Sequence, residues 1–152
     1  PGFRFFHQGQ FEGRKTHISP HLIRAPKEAV VEEILQFYDK FLEVLKKPVV
    51  RDGTWSMVEC RPAWDGNESH REILSFYWAM EDGAMALVVV NYADHNSQCY
   101  VQPPIPNIGG RTIRFRDMMG SASYDREGEE ISSKGLYLDL PEWGYHIFEI
   151  TT

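Results

Sequence analysis

The sequence predicts a mainly β protein, an antiparallel Greek-key-type β-sandwich of about eight strands preceded by a strand fragment and one long α-helix. From Thr54 onward, short runs of β-branched and aromatic residues alternate with Gly, Pro, Asn and Asp, as is typical of antiparallel strands joined by turns. Before Thr54, one amphipathic stretch has helical spacing. These two patterns place the helix first and the strands after it.

The chain opens with an aromatic segment that predicts a short strand. Phe3, Phe5 and Phe6 follow Pro1-Gly2, and no initiator Met precedes them, so we expect the chain to be a fragment of a longer protein. Such a strand needs neighbours, because unpaired backbone groups and exposed rings are both costly. In the isolated chain we therefore expect these residues to be irregular, docked on the helix, or paired with another copy of the chain.

The helix is predicted from Pro26 to Lys47. Pro26 suits the first helical position, and Pro48 follows the last turn. Apolar residues recur along one stripe, at Val30, Ile34, Phe37, Phe41 and Leu45. Because further apolar residues widen this stripe, the helix either covers the core of its own domain or lies between two domains.

The strand region begins after a boundary near Pro48–Asp52. The predicted strands are Thr54–Cys60, Ile73–Glu81, Ala84–Tyr92, Gln98–Gln102, Thr112–Asp117, Ile131–Ser132, Leu136–Asp139 and Tyr145–Ile150. Glu81–Ala84 carries the Asp-Gly signal of a tight hairpin, and Arg126–Glu129 is predicted to be another hairpin tip. The continuous apolar run Leu87–Val90 predicts a central strand that is buried on both sides.

Composition excludes several partners. With 22 acidic and 16 basic residues, the net charge of −6 argues against a nucleic-acid partner, since phosphate binding needs clustered Lys and Arg. No apolar run approaches the length that crosses a bilayer, so no membrane partner is expected either. The 152 residues suffice for one ordinary domain, with room for an appended piece.

No motif predicts a cofactor, a metal site or a catalytic residue. The spacing of Cys60 and Cys99 fits no metal-binding motif, and both are expected to be unreactive thiols. His17 and His21 have the spacing of a zinc-binding helix, but Pro20 between them opposes a helix. Neither a Gly-rich phosphate loop nor a nucleophile elbow is present.

Four tryptophans could offer flat faces to sugar rings. Trp64 lies in a loop-like stretch and is the better candidate for exposure, with Trp55 as a second candidate for sugar stacking. Trp78, in the middle of a strand, and Trp143, at the start of the last one, are expected to pack into the core or against an edge.

Taken in order, these segments resemble the C-terminal end of an alpha-amylase family glycoside hydrolase. The matching segments are Pro1-Gly2 through Gly9-Gln10, the predicted helix, Asp52-Gly53-Thr54-Trp55, Leu87–Tyr92 and Leu138–Glu149. Each motif is weak alone, but their order is moderately specific and covers essentially all of the chain. The resemblance implies that residues 1–48 are the last strand and last helix of the catalytic (β/α)8 barrel, and that residues 49–152 are the C-terminal β-sandwich domain.

The resemblance also implies what the chain lacks. The family uses one carboxylate as nucleophile, one as general acid and a third to stabilise the transition state, all on earlier barrel strands. The implied partner is therefore the missing catalytic barrel. The parent would be a retaining alpha-glycosidase or transglycosidase acting on an alpha-glucan or a small glucoside. By this resemblance the end of the last strand, with His7, Gln8, Gln10 and Glu12, faces the substrate cleft.

Three functions stay open at this point. The first is a non-catalytic domain that supports the barrel of such an enzyme. The second is a free-standing carbohydrate-binding module that stacks sugars on Trp64 or Trp55. The third is an independent hydrolase with its own acidic residues, although no carboxylate pair has a recognisable setting.

Overall fold

A computed structural model describes residues 4–17, Ser19, His21, residues 23–24 and residues 26–152. In this part of the chain there are nine strands in two antiparallel sheets and three α-helices, so the mainly β class and the sandwich are confirmed. The chain divides into two compact units, Pro1–Lys46 and Lys47–Thr152.

The first unit contains helix α1, Glu32–Lys46. The predicted start at Pro26 is wrong, because residues 26–31 hydrogen-bond to the segment that precedes them in sequence. The Glu28 carboxylate accepts hydrogen bonds from the backbone N–H of Lys15 at 2.6 Å and of Thr16 at 3.2 Å. The N–H of Val31 donates to the Glu12 carbonyl at 2.9 Å. With these partners, residues 26–31 stay outside the helix, which begins at Glu32.

The aromatic segment before α1 is not a strand. Arg4–His7 has no regular secondary structure, and Phe3 lies outside the described residues. The ring of Phe6 packs at 5.3 Å from that of Phe11 and edge-on to Tyr38 of α1, with 6.3 Å between centroids. Phe6 is thus irregular and docked on the helix, as one of the three expectations had it, whereas Phe5 is exposed.

The second unit opens with the short helix α2, Pro48–Asp52. Pro48 begins this helix at its first turn, where a proline costs no backbone hydrogen bond. Lys47 is extended, at φ −60° and ψ 132°. Since a residue before proline is forced out of the helical region, the helices are separate elements.

The strands form one large and one small sheet. They are β1 Thr54–Met57, β2 Cys60–Pro62, β3 Ile73–Ala79, β4 Met85–Asn91, β5 Ser97–Val101, β6 Thr112–Asp117, β7 Ser123–Glu127, β8 Leu136–Leu140 and β9 Tyr145–Thr151. The large sheet has the order β1-β3-β4-β9-β6-β7, and the small one β2-β5-β8. The last strand, β9, therefore returns between β4 and β6, and each pair is antiparallel.

The core draws side chains from both sheets. Leu87, Phe115 and Phe148 contribute from the large sheet, and Cys99 and Leu136 from the small one, all at 0% exposure. The rings of Phe115 and Phe148 meet edge to face at 5.9 Å. Burying aromatic and aliphatic side chains of this size supplies the main driving force for folding the unit.

The predicted central strand is β4, whose central position is confirmed, whereas the prediction that both its faces are buried is wrong. It pairs with β3 on one side and β9 on the other. Leu87 and Val89 are fully buried, whereas Val88 and Val90 are half-buried, so its two faces differ in burial. The predicted hairpin before it is also present, with Gly83 at φ 89° and a hydrogen bond from Met80 N–H to the Ala84 carbonyl at 2.9 Å.

The predicted strand Thr54–Cys60 is two strands. β1 ends at Met57 and belongs to the large sheet, whereas β2 begins at Cys60 and belongs to the small one. Between them the Val58 N–H still donates to the Ser75 carbonyl of β3 at 3.0 Å. The chain changes sheets at this point, which an uninterrupted run of strand-forming residues cannot reveal.

The predicted strand Ile131–Ser132 is wrong, because these residues lie in helix α3, Gly128–Ser133. The Ser132 and Ser133 hydroxyls donate back to the carbonyls of Gly128 and Glu129, at 2.8 and 2.7 Å. Such bonds to the preceding turn are available only in a helix. A buried Ile131 fixes the inner face of this turn.

The predicted hairpin tip Arg126–Glu129 is wrong, because a strand ends and a helix begins within it. Arg126 and Glu127 end β7, and Gly128 begins α3. A Cβ on Gly128 would lie 1.7 Å from the Ile108 carbonyl oxygen, so this glycine permits a close backbone approach instead of a turn. The turn between β6 and β7 lies earlier, where the Asp117 N–H donates to the Ala122 carbonyl at 2.8 Å.

Candidate functional site

The polar segment that the resemblance assigns to the substrate cleft is a compact turn. We call residues 7–13 the N-terminal turn. The Gln10 N–H donates to the His7 carbonyl at 3.2 Å, and the Gly13 N–H donates to the Gln10 carbonyl at 3.1 Å. Gly9 and Gly13 have φ values of 88° and 65°, which L side chains rarely adopt. The sequence folds here because glycine occupies both left-handed positions.

The four predicted site residues have different surroundings in this turn. The Gln10 side chain is used at both ends: its Oε1 accepts from the His7 N–H at 3.2 Å, and its Nε2 donates to the Tyr38 hydroxyl at 2.6 Å. Glu12 is half-buried, and its carbonyl accepts a hydrogen bond from the N–H of Val31, the residue before α1. His7 and Gln8 are exposed, with His7 Nδ1 at 3.1 Å from the Gln8 carbonyl oxygen. The turn therefore presents two of the four side chains to solvent.

Sequence reasoning missed the residues that hold the turn against α1. The rings of Phe11 and Tyr38 lie 5.0 Å apart. A Cβ on Gly13 would lie 2.8 Å from Ile34 Cδ1 and 3.0 Å from Val31 Cβ, so only glycine permits this close approach. The sequence feature that could have predicted this contact is the pair of glycines, four residues apart, on either side of Phe11.

The two predicted stacking tryptophans are exposed to different extents. Trp64 is 56% exposed, and its carbonyl accepts the Asn67 N–H at 3.1 Å. Trp55, on β1, is half-buried with its ring 5.8 Å from that of Phe76. Trp64 thus offers more free ring surface than Trp55, while Trp78 is half-buried as expected.

Trp143 is not packed away as predicted. Its side chain is 56% exposed, and its ring meets that of Tyr92 edge to face at 5.7 Å and 89°. Tyr92 itself is 68% exposed. Trp143 has φ 53°, a left-handed backbone in which it does not continue the strand pairing of β9. The pair, here called the aromatic corner, was missed because the two rings lie 51 positions apart in the sequence, at 92 and 143.

The carboxyl groups with shifted pKa values all have them lowered by hydrogen-bond donors or cations. Hydrogen bonds from the Lys15 and Thr16 backbones lower the pKa of Glu28, Arg51 lowers that of Asp52, and Arg114 lowers that of Asp125. Arg116 and then Lys47 lower the pKa of Glu149, which contacts both. A glycosidase general acid needs the opposite shift. These groups suit stabilising roles.

Asp117 organises the turn between β6 and β7. Its Oδ1 accepts from the Met119 N–H at 3.0 Å and from the Ile147 N–H at 3.2 Å, and its Oδ2 lies 2.8 Å from His146 Nδ1. The Asp117 side chain is 5% exposed and that of His146 18%. The carboxylate accepts backbone hydrogen bonds from this turn and from β9, which indicates a structural role.

The two thiols are adjacent on β2 and β5. In the register of these strands Cys99 faces Pro62, two residues from Cys60. A hydrogen bond that Cys99 donates to Cys60, together with burial, raises the pKa of the Cys99 thiol. Cys99 is fully buried, so it stays a protonated packing residue. Among the described residues, no group of three His, Cys, Asp or Glu side chains could hold a metal ion.

None of the helices in residues 4–17, 19, 21, 23–24 and 26–152 is long and apolar enough to span a bilayer.

Comparison with family models gives no match, and comparison with curated proteins gives none either.

Solved structures give matches. Trehalulose synthase MutB from Pseudomonas mesoacidophila MX-45, in a monoclinic crystal form, matches at 17% identity and a TM-score of 0.46, over 78% of this chain and 18% of that chain. An inactive double mutant of MutB in complex with isomaltulose matches at 16% identity and a TM-score of 0.47, with the same coverage. This chain thus spans a small part of the length of MutB.

Proposed function

We propose that this chain is the C-terminal part of an alpha-amylase-like glycoside hydrolase or glucanotransferase, in which residues 49–152 form a non-catalytic domain that supports and stabilises the catalytic barrel. The observation that carries the proposal is the order of motifs along the sequence, from Pro1-Gly2 through the helix and the Val-rich central strand to Leu138–Glu149. The sandwich that follows α1 has the architecture this order implies.

Residues 1–48 are then the last barrel strand and last barrel helix, and their partner is the rest of the barrel. The catalytic carboxylates lie on that missing part, and the parent acts on an alpha-glucan or a small glucoside as a retaining alpha-glycosidase or transglycosidase. The lowered pKa values of Glu28, Asp52, Asp125 and Glu149 argue against these carboxyls as a general acid, because each is stabilised in its ionised form.

Within this proposal the N-terminal turn contributes to the substrate cleft of the parent. His7 and Gln8 are exposed and can exchange hydrogen bonds with sugar hydroxyls. Gln10 and Glu12 mainly stabilise the turn, since the Gln10 side chain is hydrogen-bonded to the Tyr38 hydroxyl and the Glu12 carbonyl to the Val31 N–H.

A second candidate is a carbohydrate-binding module that stacks sugars on Trp64, with Trp55 as a weaker platform. The observation in its favour is the 56% exposure of Trp64. Titration calorimetry of the purified chain with maltooligosaccharides separates the two candidates. Binding that is lost in Trp64→Ala favours the module, and the absence of heat favours the supporting domain.

The coding sequence upstream of Pro1 tests the proposed function most simply. It is expected to encode a barrel with three carboxylates at the ends of earlier strands, and a sequence without them contradicts the proposal. A second test uses the purified chain, which is expected to turn over neither starch nor a chromogenic glucoside. Turnover that persists after repeated purification would instead establish an independent hydrolase.

A further inference from the structure

A cavity of about 220 Å³ lies within the second unit, at the end of the sandwich where β3 and β4 are joined. Tyr77 of β3 and Met85 of β4, both core residues, form its inner wall. Pro106, Asn107 and Arg111, from the loop between β5 and β6, form the facing wall. Because Arg111 is exposed and Tyr77 is only 4% exposed, the cavity extends from the surface to the edge of the core.

The hydroxyl of Tyr77 is an unpaired polar group in the inner wall. It is buried, and it has no hydrogen-bond partner among the residues that the structure describes. A buried hydroxyl without a partner carries an uncompensated desolvation cost, which a phenylalanine at the same position would avoid. Burial also raises the pKa of Tyr77, so the phenol stays neutral and can donate a hydrogen bond as well as accept one.

Arg111 supplies a positive charge at the outer end of the cavity. Within the described part of the chain, its guanidinium takes part in no ion pair and no hydrogen bond. Its backbone is held on both sides, because the Arg111 N–H donates to the Ile108 carbonyl at 3.2 Å and its carbonyl accepts from the Gly128 N–H at 2.8 Å. The cation is therefore positioned at the cavity and is free to bind a ligand.

The surface between these two polar groups is mainly apolar. Ala79, Met80 and Met85 line it, and methionine side chains adapt to the shape of a bound molecule. No Asp or Glu side chain is among the lining residues, since the acids of the same hairpin, Glu81 and Asp82, line a separate depression. Arg111 is thus the one charged side chain in the lining of this cavity.

These features select a small carboxylate that has an apolar body and a hydroxyl group. A guanidinium binds a carboxylate through two parallel hydrogen bonds, and a single cation suits a monoanion. A cavity of about 150 Å³ can hold benzene, so 220 Å³ has room for one substituted ring. Pockets for larger ligands measure about 300–1,000 Å³, so the volume excludes an oligosaccharide or a peptide segment.

We propose that this cavity binds a small hydroxycarboxylate. Its carboxylate pairs with Arg111, its apolar body packs against Met80 and Met85, and its hydroxyl group hydrogen-bonds to the hydroxyl of Tyr77. The inference does not rest on the proposed function, because it uses only the cavity and the residues that line it.

The test is a nuclear magnetic resonance titration of the chain labelled with ¹³C-methyl methionine. The probes are 4-hydroxybenzoate, benzoate, which lacks the hydroxyl group, and 4-hydroxybenzamide, which lacks the charge. The methyl groups of Met80 and Met85 line the cavity and report binding, whereas Met57, which is 64% exposed and outside the lining, is the internal control. Single Met→Leu variants assign the resonances.

Two variants remove the polar partners one at a time. Arg111→Gln should weaken 4-hydroxybenzoate binding about tenfold, to the affinity of 4-hydroxybenzamide. Tyr77→Phe should weaken it about fivefold, to the affinity of benzoate, and should not lower the unfolding temperature of the free chain. Arg71→Gln makes the same charge change outside the cavity and should leave binding unchanged.

Three results would overturn the proposal. The first is that the Met80 and Met85 methyl resonances do not shift at tens of millimolar 4-hydroxybenzoate, which would indicate a cavity that holds water only. The second is that Arg111→Gln and Tyr77→Phe both retain full affinity. The third is that Arg71→Gln weakens binding as much as Arg111→Gln, which would indicate non-specific attraction of the anion. The upstream coding sequence decides the proposed function separately, so either idea can fail alone.

Discussion

The two units of the chain bury their apolar side chains very differently. In Lys47–Thr152, core residues such as Phe115 and Phe148 come from several strands and are 0% exposed. In Pro1–Lys46, Phe5 is 70% exposed and Phe37 36%, and Val44 is the buried residue of α1. The sandwich therefore has a fully buried core of its own, whereas the apolar residues Ile34, Phe41 and Leu45 of α1 are only half-buried.

The largest effect that separates the two units is expected from truncating a phenylalanine in each. Phe148→Ala removes a fully buried ring from the core and should lower the free energy of unfolding by about 3–5 kcal/mol. Phe5→Ala, at 70% exposure, should change it by less than about 0.5 kcal/mol. Urea unfolding followed by far-UV circular dichroism measures both. Equal losses in the two variants would contradict the comparison.

A second prediction concerns a glycine of the sandwich. In Gly128→Ala the new Cβ would meet the Ile108 carbonyl oxygen at 1.7 Å, so the backbone must shift, and we expect a loss of about 3 kcal/mol. Gly83→Ala is the control, because its Cβ meets nothing within 4 Å and only its φ of 89° is unfavourable. That control should lose about 1 kcal/mol in thermal unfolding. A Gly128→Ala variant as stable as the control would show that α3 is not packed as described.

Asn91→Ala should loosen the loops that carry the aromatic corner. It leaves the carbonyls of His95 and Pro141 without their amide donor, so the free energy of unfolding should fall by about 2 kcal/mol. Amide exchange at Trp143 should accelerate in the same variant, since its loop loses an anchor. Unchanged exchange there would mean that Asn91 does not position the corner.

The smallest effect is the pH dependence carried by Glu149. Arg116 and Lys47 hold the folded pKa of this carboxyl below its usual 4.5, so its stabilising contribution is present above about pH 4.5 and is lost as the pH falls through the folded pKa. Glu149→Gln should therefore lower the unfolding temperature at pH 7 by a few degrees at most, and by less at a pH below 4.5. Glu142→Gln, an exposed carboxyl, is the control. An equal loss at both pH values would exclude the ion pairs as the cause.

The sequence predicted the elements that have strong local patterns. The Val-rich strand β4 and the Glu81–Ala84 hairpin were found because apolar runs and Asp-Gly turns are local signals. The sequence Ser-Tyr-Asp-Arg-Glu of β7 was missed, since an edge strand that is largely exposed shows no apolar alternation. Helix α3 was missed because its first residue, Gly128, packs against the Ile108 carbonyl, a contact that no local pattern indicates.

The candidate site was less predictable than the fold. Exposure of Trp64 followed from its loop, but the outward position of Trp143 depends on a left-handed backbone and on Asn91, neither of which leaves a local signature. Likewise, the commitment of Gln10 to Tyr38 joins residues 28 positions apart. Hydrogen bonds between residues that are distant in the sequence determine these positions, and no local sequence pattern indicates such bonds.

If the proposed function is right, the sandwich folds on its own and α1 packs against the rest of a barrel. Hydrogen exchange by mass spectrometry, on this chain alone and within the full-length parent, tests it most directly. We expect peptides from β4 and β9 to be slowly exchanging and equal in the two samples, and peptides from α1 to be protected only in the parent. If α1 is protected equally in both, the helix has all its packing partners within this chain, and the barrel account is contradicted.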